Sequence, residues 1–340
     1  MSTPPPPPEL TLPPRKKYLR IRSLIESASL GAAYGVLLRV LVSKHLTDNG
    51  GSSVAVMTIA FLVLGPIVIG FLTIRQTEAH QPSPIWIWIF LPWLSVTLMM
   101  AVVALFALEG AICIAMALPI ALICASIGGL VAGVISRRHR LNRAPTLCLA
   151  ILPLLLAPFE SRLAAPLETR TVASEIRIHA PTSVIWQNIE RVPAISPAEL
   201  RPTWAHRIGF PRPVEATLSY EGVGGIRHAS FEHGLLFIET VTAWQPEHRL
   251  AFSIRADTAH IPSTTLDEHV TIGGRYFDVL DGEYSLEPLP NGDTLLHLTS
   301  HQRLSTDLNG YAGFWTDAVM QNLQSSILQV IQHRCETQHR

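Results

Sequence analysis

Residues 276–335 read YFDVLDGEYSLEPLPNGDTLLHLTSHQRLSTDLNGYAGFWTDAVMQNLQSSILQVIQHRC. Two strand-like runs, 276–289 and 294–304, are joined by Pro290-Asn291-Gly292-Asp293, where Asn-Gly supplies the positive φ of a tight hairpin. The period then changes. Phe314, Trp315, Ala318, Val319, Leu323, Ile327, Val330 and Ile331 recur at three and four residues over 310–335. Thr316, Asp317, Gln321, Gln324, Ser325 and Gln332 cover the other side. Such a helix must lie on an apolar surface. The economical partner is an antiparallel sheet curved around it, an α+β packing that buries one face of each. A sheet curved around a helix leaves room for a cavity, a common place for apolar ligands.

Upstream, more strands precede this pair. Ile176 and Ile178 alternate with Arg177 and His179, and the reading starts a strand at 173. Thr182 is read as the N-cap of a short helix whose apolar face is Val184, Ile185, Trp186 and Ile189. A proline-rich irregular stretch spans 193–213, and strands are expected at 214–221, 226–233, 235–244 and 249–256. Gly222-Val223-Gly224-Gly225 is a turn, without the continuation or the following helix of a dinucleotide fingerprint.

The first half of the chain is different in kind. Of 340 residues only 15% are charged, and Lys+Arg and Asp+Glu balance at 26 each. That composition excludes a disordered chain, a coiled coil and a basic nucleic-acid binder. Residues 1–160 hold 12 Lys+Arg against 6 Asp+Glu, and residues 161–340 hold 14 against 20. Apolar segments lie at about 23–42, 54–74, 85–108, 110–135 and 144–159. Four have the roughly 20 residues needed to cross a ~30 Å hydrocarbon core. The fifth is shorter and contains Pro145, Pro153 and Pro158; it is read as spanning, the alternative being a re-entrant or interfacial piece. The expected fold class is therefore a membrane bundle of four or five helices followed by the α+β domain.

Orientation follows from the basic residues. With the N-terminus cytoplasmic, Arg15, Lys16, Lys17, Arg20, Arg22, Arg75, Arg137, Arg138, Arg140 and Arg143 lie inside, and Lys44 alone lies outside. This expectation places the protein in a membrane, of bacterial inner-membrane type, with an extracytoplasmic C-terminal domain. Glu26 and Arg39 are expected near the ends of the first segment, reaching the headgroups. Trp86, Trp88 and Trp93 are read as an aromatic belt, and Gly128, Gly129 and Gly133 as a site of close helix packing within the bundle. The expected organisation is a Pro-rich, basic tail at 1–22, transmembrane helices over 23–160, a linker at 161–172 and the second domain at 173–336.

Catalytic and metal motifs are absent. There is no His-Glu-x-x-His and no Gly-x-Ser-x-Gly. On a strand His228 and Glu232 would share one face and His233 the other, which argues against a shared metal. Asp267-Glu268-His269 reads as a solvated loop. The cysteines, Cys113, Cys124, Cys148 and Cys335, have no zinc-site spacing.

Residues 173–335 resemble the START-like, polyketide-cyclase-type (SRPBCC) superfamily with its helix-grip fold. The similar pieces are Ile176-Arg177-Ile178-His179-Ala180-Pro181 with Val184-Ile185-Trp186, the Gly222–Gly225 turn with Arg227, the run Thr242–Leu250, and the long final helix. The resemblance implies a cavity between sheet and helix that holds a lipid or other hydrophobic small molecule near the membrane. The alternative is a membrane-associated cyclase- or hydrolase-like enzyme acting on a hydrophobic substrate. Such a cavity has an apolar wall and a few polar groups. The wall candidates are Trp244, Phe252, Phe314, Trp315 and Val319. The polar candidates are Arg227, His228 and Tyr284, with Glu239, Arg255, His297 and His301 behind them. No cofactor and no metal is expected; the expected partners are the lipid bilayer and a hydrophobic small molecule, not nucleic acid.

Overall fold

The computed structural model describes residues 15–47, 58–138, 143–160, 162–201, 203–257 and 272–338. Residues 1–14 of the proline-rich tail, Arg140 and Asp267-Glu268-His269 lie outside the described residues. The chain divides into two compact units, one built mainly from the helices before Glu160 and one mainly from residues after it.

The helical unit contains α1 (Arg15–Thr47), α2 (Gly65–His80), α3 (Ile85–Leu105), α4 (Ala111–Arg138) and α5 (Arg143–Glu160). A π-helical turn, Ala60–Leu64, leads into α2 just before Pro66, which has no N–H to donate to a regular turn. Four stretches are helical, long and apolar enough to cross a membrane: Ile21–Leu41, Ala60–His80, Ile85–Leu105 and Ala111–Arg138. Helix Thr146–Glu160 is apolar but shorter.

The small residues pack the bundle. A Cβ on Gly70 would stand 1.9 Å from the Ala125 carbonyl oxygen, and one on Gly128 would stand 1.9 Å from that of Ile67, so α2 and α4 meet backbone to backbone. Trp88 departs from the expected aromatic belt. It is buried against Gly133, with the Arg137 guanidinium 4.2 Å above its ring. Its indole N–H donates to Glu78 (2.9 Å), whose carboxylate also accepts from the Ser83 N–H. Arg137 donates to the Ser83 carbonyl (2.7 Å), locking the α2–α3 turn to the end of α4. Arg39 is buried, two residues before the end of the membrane-length stretch Ile21–Leu41.

The second unit holds β1 (Leu167–Ile178), α6 (Thr182–Glu190), the short α7 (Trp204–Arg207), β2 (Pro213–Leu218), β3 (Ile226–Phe231), β4 (Leu236–Gln245), β5 (Arg249–Asp257), β6 (Phe277–Pro288), β7 (Thr294–Ser305) and α8 (Asn309–Gln338). The strands form one antiparallel sheet in the order β1-β7-β6-β5-β4-β3-β2. The turn glycine Gly292 has φ +89, as a tight β6–β7 hairpin requires. Bulges at Pro213/Glu215, Val241/Ala243 and Val279/Asp281 bend the sheet. Its concave face takes α8, which lies against β1, β7 and α6. At their meeting Ile178, Ile185, Ile189, Leu250, Leu296, Leu328 and Ile331 are at most 1% exposed. Each such side chain contributes about 1.5–3 kcal/mol by leaving water, and truncating one, as in Leu296→Ala, costs about 2–5 kcal/mol. The expected bundle, curved sheet and gripping helix are all present.

Three local readings differ. β1 begins at Leu167, inside the stretch read as a linker, because residues 167–171 are exposed or half-buried on both faces and carry no apolar alternation. Thr182 is the first helical residue of α6 and not its N-cap; its hydroxyl donates to Glu247 instead. β3 ends at Phe231, so Glu232 and His233 belong to a 3-10 turn in which His233 has φ +61.

Candidate functional site

Between α8 and the inner face of the sheet lies a cavity of about 170 Å3. β4 contributes Phe237 and Glu239, β5 Phe252 and Ile254, β6 Tyr284, and β7 Leu298 and Ser300. α8 closes it with Trp315, Val319, Leu323, Gln324 and Ile327. The walls are apolar, and the polar atoms are concentrated at a few of these positions.

Sequence alternation explains most of the wall. Along β7 every second residue from Thr294 to Leu304 is buried, which turns Leu298 and Ser300 inward. Gly282 lies opposite Phe252 in the β5–β6 register, and a Cβ there would stand 2.7 Å from the Phe252 ring. The glycine therefore seats that ring in the wall.

The floor is ionic. Arg227 on β3 and Glu239 on β4 are direct cross-strand partners, 4% and 5% exposed, and Arg227 donates to the Glu239 carboxylate. The guanidinium carbon lies 5.6 Å from the centre of the Phe252 ring. Tyr284 lies near enough to favour the charged form of Arg227. Burial pushes the Glu239 carboxyl above the usual carboxylate range, against the opposing pull of Arg227. Burial likewise raises the Tyr284 hydroxyl to about 12. Burial alone would depress Arg227, but Glu239 and Tyr284 outweigh it and keep the guanidinium charged. The buried polar atoms without a hydrogen-bond partner include Arg227 Nε and Trp315 Nε1.

The expected site residues separate into groups. Phe252, Tyr284, Trp315 and Val319 line the cavity, as does Glu239. Arg227 sits behind Glu239 and is not a lining residue. The other three lie elsewhere, each for a geometric reason. His228 is exposed, because the period of two sends it to the face opposite Arg227. Trp244 follows the Val241/Ala243 bulge and packs edge-on against Trp186 of α6, ring centroids 5.1 Å apart. Phe314 is 65% exposed, with its ring against Trp315; a helix turns about 100° per residue, so these neighbours point apart. Among the secondary candidates Arg255 is exposed, His297 lies by Glu175 and Glu287, and His301 meets Asp281 at 2.6 Å.

Gln324 is the position most misread by residue type. Assigned to the polar side of the helix, it is 2% exposed. Its amide donates to Ser300 Oγ (3.0 Å) and the Val172 carbonyl (3.2 Å), and its oxygen accepts from Ser174 (2.8 Å). Beside it Arg170 is bidentate to Asp317, which also accepts from Gln302 (2.8 Å). A polar seam thus fastens α8 to β1 and β7. The signal that could have found it is the inward parity of Ser300 and Gln302 on β7, which demands polar partners on the helix.

A second depression, of about 520 Å3, is lined by His206, Gly209, Phe210, Arg212, Glu232 and His233. Among the described residues no group of three or more His, Cys, Asp and Glu side chains is placed to hold a metal ion.

Fold and site together define a helical membrane module joined to a cavity-bearing α+β helix-grip domain. No protein-family model matches the chain, and no curated protein sequence matches it. Over its C-terminal half the chain is similar to several solved structures. One is a START superfamily protein from Mycobacterium smegmatis, at 12% identity and TM-score 0.33, covering 49% of this chain and 98% of that one. Another is the ZhuI aromatase/cyclase from Streptomyces sp. R1128, at 16% identity and TM-score 0.34, covering 51% and 97%. A third is truncated norcoclaurine synthase from Thalictrum flavum, at 10% identity and TM-score 0.31, covering 49% and 92%.

Proposed function

We propose that this protein is a membrane-anchored binder whose C-terminal domain holds a lipid or other hydrophobic small molecule in the cavity between α8 and the sheet. The observation that carries the reading is the cavity itself, an apolar chamber with Glu239, Tyr284, Ser300 and Gln324 as its polar points. The four membrane-length helices tether that chamber to a bilayer. In this reading residues 23–160 are the anchor and the chain from β1 onward is the binding module. The N-terminus is cytoplasmic, and a spanning α5 puts the binding module on the far side.

One observation favours a second reading. Glu239 is a buried carboxyl with a raised proton affinity, facing a cavity, with Tyr284 beside it. Such a group is suited to move a proton to or from a bound molecule, which would make the domain a cyclase- or hydrolase-like enzyme.

The test is mass spectrometry of small molecules extracted from the purified full chain. A hydrophobic compound at near-stoichiometric yield, lost in a cavity-filling Val319→Trp variant, supports binding. An empty chain with no affinity for apolar probes removes the proposal. Turnover of the recovered compound by the wild type but not by a Glu239→Gln variant that still binds it selects the enzyme.

A further inference from the structure

The depression at His206 has a wall in common with the cavity. Phe210 lines both spaces. On either side of it the chain alternates between them: Pro211 faces the cavity and Arg212 the depression, and Phe231 faces the cavity and Glu232 the depression. The partition is therefore one side chain thick, apolar on one side and polar on the other. Within the depression His206 is 9% exposed, its Nδ1 lies 2.9 Å from the Thr203 hydroxyl, and its Nε2 is buried without a hydrogen-bond partner. A buried polar atom left unmatched in a cleft is a place for a ligand atom.

We propose that this cleft is the polar end of the ligand site: with the Phe210 ring turned aside to join the two spaces, it takes the neutral, hydroxyl-bearing head of an amphiphile whose apolar part fills the cavity. The inference rests on the cavity reading above and specifies its ligand class. Charge selects the head. Arg212 and Glu232 lie 4.0 Å apart and offset one another, so a charged group meets no net opposite charge. Burial, followed by the nearby Arg212, lowers the proton affinity of His206 and so favours the neutral imidazole. A hydroxyl is both donor and acceptor, so it satisfies Nε2 in either tautomer of that ring. Gly209, at φ +114, lets the backbone turn immediately before Phe210 and so sets that ring in the partition.

The experiment is displacement of the apolar fluorophore N-phenyl-1-naphthylamine from the full chain in lipid nanodiscs, with empty nanodiscs as the blank. The competitors are 1-O-hexylglycerol, its dimethyl ether and hexyl phosphate. They share a chain and differ in the head. The diol is expected to displace the probe at about fivefold to tenfold lower concentration than the dimethyl ether, the worth of a hydrogen bond to a desolvated group. Hexyl phosphate should match the dimethyl ether. In His206→Phe the advantage of the diol should vanish while the dimethyl ether is unchanged, and His206→Gln should keep part of it. Equal potency of diol and dimethyl ether in the wild type overturns the proposal and leaves the cavity reading standing, even if both variants misfold. A preference for hexyl phosphate that Arg212→Gln removes overturns the neutral head. A chain that binds no fluorophore overturns the cavity reading as well.

Discussion

Arg227 and Glu239 face one another across the β3–β4 register with both side chains buried, and only Glu239 reaches the cavity. Their attraction must repay two desolvation costs, so the pair adds little net stability, yet neither member tolerates loss of the other. Glu239→Leu or Arg227→Met alone is expected to destabilise the domain by about 3–5 kcal/mol, and the double apolar replacement Arg227→Met/Glu239→Leu by much less. Chemical denaturation of the four chains closes the cycle. Additive losses in the double variant would mean that the two groups are not coupled.

Trp315 is half-buried, lines the cavity and carries an indole N–H without a partner. An aromatic packed on all sides costs about 3–5 kcal/mol to truncate. Trp315→Ala is expected to cost less than that, because part of its surroundings is already empty, and to change the affinity of an apolar fluorescent probe. The melting midpoint and the probe titration decide together. A large loss of stability with unaltered probe binding would make Trp315 ordinary core.

Arg334, near the end of α8, donates to Glu199 (2.7 and 3.2 Å) and to the carbonyls of Pro193 and Ala194. Its hydrogen bonds lower the Glu199 carboxyl to about 2, with help from the Ser196 N–H and against burial. A carboxyl depressed in the folded state stabilises above its unfolded value, and that stability is lost as the pH falls toward the folded one. The melting midpoint should therefore fall between about pH 4.5 and pH 2, and more steeply in the wild type than in Glu199→Gln. Identical acid limbs for the two proteins would show that this clamp carries no pH-dependent stability.

The strands at 276–289 and 294–304 and the helix at 310–335 were legible within a few residues, because period two and period 3.6 are both written in large apolar side chains there. The start of β1 was not, since Leu167, Thr169 and Thr171 gain no burial from their strand. The site was legible in part. Phe252 and Tyr284 follow from strand alternation and Val319 from the helical period, but Trp244 depends on a bulge that one sequence does not display. The Arg227–Glu239 floor is a matter of register, not of either residue. Gln324 shows the limit of amphipathic reading: a polar residue is buried when the facing strands β1 and β7 supply Ser174 and Ser300.

Arg137, with the Ser83 and Trp88 contacts that hold it, sets the α2–α3 turn and the end of α4 together in the bundle. In our reading that end is cytoplasmic. Reporter fusions after Gly50, after Asn142 and after Arg340 should then give outside, inside and outside signals. An inside signal at Arg340 removes the spanning role of α5, and one at Gly50 reverses the orientation.

The pairing of β1 with β7 joins Leu167 to Ser305 and Ile178 to Thr294, so the outermost strand on that side finds its partner only after β7 has been made. α8 is made later still. During synthesis the concave face carrying Leu250 and Leu296 has no helix to cover it until the chain has run more than a hundred residues past β1. Contacts this distant in sequence form slowly and leave unpaired strands exposed in the meantime. Whichever side of the membrane receives this domain, its folding is all-or-late, and a ribosome stalled before Asn309 would hold a sticky half-sheet with nothing to grip.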